Sequence, residues 1–154
     1  MDAIYRMPEC LFRLVAFFVN AWYRFLGDKH PDFCSACFQF TTAWAQEFNR
    51  QNPDVGGVLY RSYAGAMSSF RSDIFMWWLN LVIGWADGEN DGLVAVESAA
   101  WTGFQGVWRG IGGRGMSHMD EVNFRRRRLK YCGKTCDVVD EYVKMVAALK
   151  EYDL

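Results

Sequence analysis

Between Leu11 and Phe25 the apolar residues return every three or four positions: Leu11, Leu14, Val15, Phe18, Trp22 and Phe25. That spacing gathers them on one side of a helix. Gly27 and Pro31 end it. Thr41 or Thr42 is placed to cap a second helix, through Trp44, Ala45 and Phe48 to Pro53. From residue 57 the pattern changes. Gly57 to Tyr63 is rich in β-formers and predicts a strand. Ser72 or Asp73 can cap a helix from Ile74 to Leu81, and an acidic, glycine-rich turn covers Asp87 to Gly92. Val94 to Trp101 reads as a short helix, and Phe104 to Ile111 as another strand. The glycine-rich loop Gly112–Met116 leads to Ser117-His118 and a short helical segment, then to a loop carrying Cys132 and Cys136. Asp137 caps a final amphipathic helix, VVDEYVKMVAALKEY. Strands alternating with helices predict an α/β sheet, with too few strands for a complete doubly wound one.

Composition adds bounds. Of 154 residues 51% are hydrophobic and 17% aromatic, enough for a core and for an apolar groove besides. A net charge of −1 argues against a nucleic-acid partner. The basic run Arg125–Arg128 reads as a solvated helix face or a surface ion-pair cluster, or else as a phosphate or anionic-lipid contact. The start Met1-Asp2-Ala3 lacks the basic residues of a signal peptide. Leu11–Leu26 is interrupted by Arg13, Asn20 and Arg24 and is short for a membrane span.

The chain has two histidines. His30 lies in a Lys-His-Pro turn and reads as a surface residue. His118 follows a strand and a glycine-rich loop, where α/β folds place their sites. Asp91, in Asn90-Asp91-Gly92-Leu93-Val94, is either an ordinary turn residue or a carboxylate that orients an imidazole. Its position before the histidine matches the order nucleophile, acid, histidine of α/β-hydrolases.

Four stretches then resemble, in register, the C-terminal half of bacterial triacylglycerol lipases of the Pseudomonas and Burkholderia type. They are Thr41-Thr42 with Phe48-Asn49 and Pro53; Gly57-Val58-Leu59-Tyr60-Arg61-Ser62 with Gly65; Asn90-Asp91-Gly92-Leu93-Val94; and His118-Met119-Asp120-Glu121-Val122-Asn123. The resemblance implies residues 41–154 as the C-terminal part of an α/β-hydrolase core and residues 1–40 as a helical, lid-like segment. It implies Asp91 as triad acid and His118 as triad base, acting on a lipid or ester substrate. It implies a structural calcium with Asp120 and, more loosely, Asp73 as carboxylate ligands, and carbonyls near Phe124 and Arg128. It favours secretion and a transient membrane-surface contact.

No Gly-x-Ser-x-Gly elbow occurs in the chain. Ser62 lacks its flanking glycines, Ser68 and Ser69 are unmarked loop residues, and Ser117 adjoins the histidine and is not placed to sit on an elbow of its own. The expectation is that the nucleophile lies in an N-terminal half outside these residues, leaving this chain inactive alone and prone to self-association through a sheet edge. The rival is a non-catalytic protein that binds a membrane or partner through its apolar helix. It would use Cys34, Cys37, Cys132 and Cys136 for zinc or disulfides, or keep them as free thiols with Cys10.

Overall fold

The computed structural model describes residues 8–152, so the signal-peptide reading at Met1–Ala3 lies outside it. The chain divides into two compact units after Leu59.

The first unit is helical: α1 (Glu9–Phe25), α2 (Phe33–Gln39) and α3 (Thr42–Gln51). Helix α1 stops where expected. Gly27 takes a φ of 101°, its N–H bonds Arg24 and that of Asp28 bonds Tyr23, which satisfies carbonyls that a helix end leaves open. Helix α2 was not anticipated, although its signal is in the sequence. The Asp32 carboxylate accepts from the Ser35 N–H at 3.0 Å and its hydroxyl at 2.5 Å. The Asn20 side chain ties α1 to α2 by accepting from the Phe33 N–H at 2.9 Å. Thr41 caps α3 through the Trp44 N–H at 3.3 Å, and the helix ends before Pro53 as predicted. Phe17, Phe18, Trp22 and Phe25 of α1 are exposed, while Ala16 is buried. No described helix is long and apolar enough to cross a membrane.

The second unit mixes helices and strands. Strand β1 (Ser62–Gly65) runs parallel to β2 (Phe104–Trp108), with Gly65 opposite Trp108. The predicted strand at 57–63 therefore starts late. Its first residues turn instead, with Val58 bonded back to Val55 and Gly57 at a φ of 84°, and the ladder begins only where Phe104 comes alongside Ser62. The helix predicted over Ile74–Leu81 is displaced to α4 (Trp77–Asp87). Asp73 does not cap it: its Oδ1 closes a local turn on the Phe75 and Met76 N–H groups, and its Oδ2 points into an arginine network. Helix α5 (Val96–Ala99) follows.

Helix α6 (His118–Glu121) is a single turn. The loop expected around Cys132 is instead a hairpin of β3 (Leu129–Tyr131) and β4 (Lys134–Cys136). Cys132 and Gly133, at φ of 47° and 75°, make its two-residue turn, a geometry that usually selects Asn or Asp before the glycine. Asp137 caps α7 (Val138–Leu149) as predicted, with a 3₁₀ turn over Lys150–Tyr152. Met116, Leu129 and Val138 form a buried cluster, packed against Trp108 and Cys136. The architecture is compatible with the α/β class, with two small two-stranded sheets among the described residues.

Candidate active site

The strands and turns of the second unit bring Asp91 and His118 together. Asp91 sits in a turn that its own carboxylate organises, because Oδ1 accepts from the Leu93 N–H at 2.8 Å and the Val94 N–H at 2.7 Å. Asn90 beside it is 1% exposed and clamps the turn. Its side chain donates to the carbonyls of Asn80 and Gly88 and accepts from the Gly92 N–H, while its own carbonyl takes the Met67 N–H.

His118 is the first residue of α6. Ser117 caps that turn in a reciprocal box with Asp120, which fixes where the imidazole leaves the backbone. The His118 N–H donates to the Asp91 carbonyl at 2.9 Å, and Nδ1 lies 2.8 Å from Asp91 Oδ2. The Asp91 side chain is buried and the ring is about one third exposed. A buried carboxylate against Nδ1 selects the tautomer with its proton there, leaving Nε2 to accept one. Nε2 has no hydrogen-bond partner among the described residues.

The bond from Asp91 raises the His118 pKa above its ordinary value, against burial, and the charges of Asp91 and Glu121 add to the rise. Glu121 is the residue that sequence reasoning missed, since it entered only as part of a motif. Burial, then the charges of Asp91 and Asp120, push its carboxyl up to about 7, with His118 opposing. Its Oε1 is buried with no hydrogen-bond partner. Ligand atoms of Asp91, His118 and Glu121 lie within 4.8 Å of one another. Nothing in the pattern of residues announces this juxtaposition, which comes from the approach of α6 to Gly65 of β1.

The nearby serines have other partners. Ser117 is fully buried and donates to Asp73 Oδ2 at 3.1 Å. Ser62 donates to the Trp101 carbonyl at 2.9 Å, and Ser68 and Ser72 donate to that of Arg114. Ser69 accepts from the Arg71 N–H.

Asp73 and Asp120 also come close, with arginines between them. Arg114 is 2.7 Å from Asp120, and Arg125 reaches Asp73 at 2.7 Å and Asp120 at 3.8 Å. The run Arg125–Arg128 is thus not a helix face. Arg125 turns inward and Arg128 pairs with Asp137 at 3.4 Å. Phe124 is exposed. His30 is exposed in its loop, its N–H bonded to Asp28. Cys10, Cys34, Cys37, Cys132 and Cys136 form no disulfide, and burial raises the pKa of Cys37 and Cys136, which favours the protonated form.

No family model and no solved structure matches the chain. Among curated proteins it is similar to a protein named triacylglycerol lipase 2 of Saccharomyces cerevisiae, with 28% identity over 120 residues that cover 71% of this chain. It spans about a third of that relative's length, 35%. The sequence relation shown is therefore to a lipase, and the bacterial type that the motifs resemble is not shown by it.

Proposed function

We propose that this chain supplies the acid and the base of a Ser-His-Asp carboxylic-ester hydrolase of the triacylglycerol lipase class, on an α/β-hydrolase core. The observation that carries the reading is the 2.8 Å contact between the buried Asp91 carboxylate and Nδ1 of His118. The likeness to a lipase supports it. The nucleophilic serine and the oxyanion donors come from a segment outside these 154 residues.

In the complete enzyme His118 Nε2 takes the serine proton as the hydroxyl attacks the ester carbonyl, and returns it to the departing alkoxide. Asp91 holds the ring and stabilises the imidazolium, as the raised His118 pKa reflects. Water then repeats the cycle on the acyl-enzyme. The exposed aromatic face of α1 suits contact with the lipid surface on which such a substrate lies.

The test is to express the chain with the upstream segment of its reading frame and assay p-nitrophenyl esters. The 154-residue chain alone is inactive, the extended protein turns over, and His118→Ala removes turnover. Activity that survives His118→Ala would falsify the assignment.

A further inference from the structure

We infer that Arg125 stands where a divalent ion was expected between Asp73 and Asp120, so that a guanidinium rather than calcium ties the helix carrying His118 to the loop before α4. This inference does not depend on the hydrolase reading.

The carboxylates themselves reject calcium. That ion takes six to eight oxygens, with carboxylates and carbonyls aimed at one point. Here all four carboxylate oxygens face donors. Asp73 Oδ1 accepts from the Phe75 and Met76 N–H groups, and Oδ2 from the Ser117 hydroxyl at 3.1 Å and Arg125 at 2.7 Å. Asp120 Oδ2 accepts from Arg114 at 2.7 Å and the Ser117 N–H at 3.3 Å, while Oδ1 faces Arg125 at 3.8 Å. Two guanidiniums thus already balance two carboxylates. Arg114 is held further by the carbonyls of Ser72 and Gly115.

The surroundings agree. A cavity of about 700 Å³ opens beside the network, lined by five arginines and one lysine against a single acid, Asp73. A dication entering from this cavity would meet an excess of like charge. The geometry instead fits a fixed internal cation. Asp73, Ser117 and Asp120 are all buried, and Arg125 lies mostly buried across the two acids. Arg125 belongs to the segment after α6, so its contacts close a loop from Ser117 back onto Asp73, which holds the turn that His118 begins.

The experiment uses the 154-residue chain, with thermal unfolding followed in a chelator and in about 5 mM calcium chloride, a concentration at which a resident site would raise the midpoint. The wild-type midpoint stays within about 1 °C, and calorimetric titration with calcium gives no binding heat. Arg125→Met keeps the stem, loses the charge, and lowers the midpoint by roughly 8–15 °C. Arg125→Lys restores part of that loss. A calcium-dependent rise in the wild type overturns the inference, and so does an Arg125→Met variant as stable as wild type. So does a lysine variant that falls as far as the methionine one. If Arg125→Met is insoluble, the calcium titration of the wild type and the midpoint of Arg125→Lys still decide.

Discussion

Gly65 and Glu121 occupy one volume: a Cβ on Gly65 would lie 1.5 Å from Oε1 of Glu121 and 3.3 Å from the Cβ of Asp91. The glycine thus gives the Glu121 carboxyl its buried place. In Gly65→Ala the methyl displaces that carboxyl toward water. Its pKa then falls from about 7 toward the ordinary carboxylate range, and stability drops by about 1–3 kcal/mol. Carbon-13 NMR titration of the Glu121 carboxyl reads the first and urea unfolding the second. An unchanged pKa would show that the two residues do not compete for space.

Glu121 also sets a pH dependence. Its folded pKa is raised, so its contribution to stability is fully present below the unfolded value near 4.5 and is lost as pH rises to about 7. The loss is up to roughly 3 kcal/mol before solvent screening reduces it. His118 acts in the same direction above 6.5, since its pKa is raised too. Glu121→Gln cannot ionise, so relative to wild type it gains stability between pH 5 and pH 8, by urea unfolding at both. An equal difference at the two pH values would refute the burial account of this carboxyl.

Asp91 does two things that different substitutions separate. Asp91→Asn keeps an oxygen for the Leu93 and Val94 N–H groups but removes the charge beside Nδ1. The fold is retained and the His118 pKa falls, by proton NMR titration of the ring. Asp91→Ala leaves both N–H groups without an acceptor and costs about 2–4 kcal/mol. In the extended enzyme, Asp91→Asn lowers kcat by about 10⁴-fold if the acid holds the tautomer as in serine-protease triads. A His118 pKa unmoved by Asp91→Asn would contradict the pairing.

Arg114 is 5% exposed and bridges Asp120 to two carbonyls. Arg114→Met takes the nearer of its two guanidiniums from the buried Asp120 carboxylate and costs about 3–5 kcal/mol in urea unfolding. A loss below about 1 kcal/mol would place Arg114 in solvent-screened surroundings instead.

The parts legible in the sequence are those set by neighbours in the chain. Thr41 and Asp137 announce their helices because a cap acts over two or three residues. The turn around Asp91 is likewise written in Asn-Asp-Gly. The misplaced parts depend on distant partners. Asp73 looks like a helix cap until Arg125 and Ser117 claim its other oxygen. The strand predicted from Gly57 waits for Phe104. Glu121 gains its character only from a glycine on another element. The hairpin at Cys132 hid behind a cysteine in a backbone conformation that side chains seldom adopt.

Asp91 and His118 are joined twice, once through the main chain and once through the ring. A thermal excursion of either residue therefore carries the other, and their mutual orientation was settled when the protein folded. On the proposed reading, a nucleophile brought to this pair meets an acid and a base already oriented toward each other, which lowers the conformational search that assembly requires.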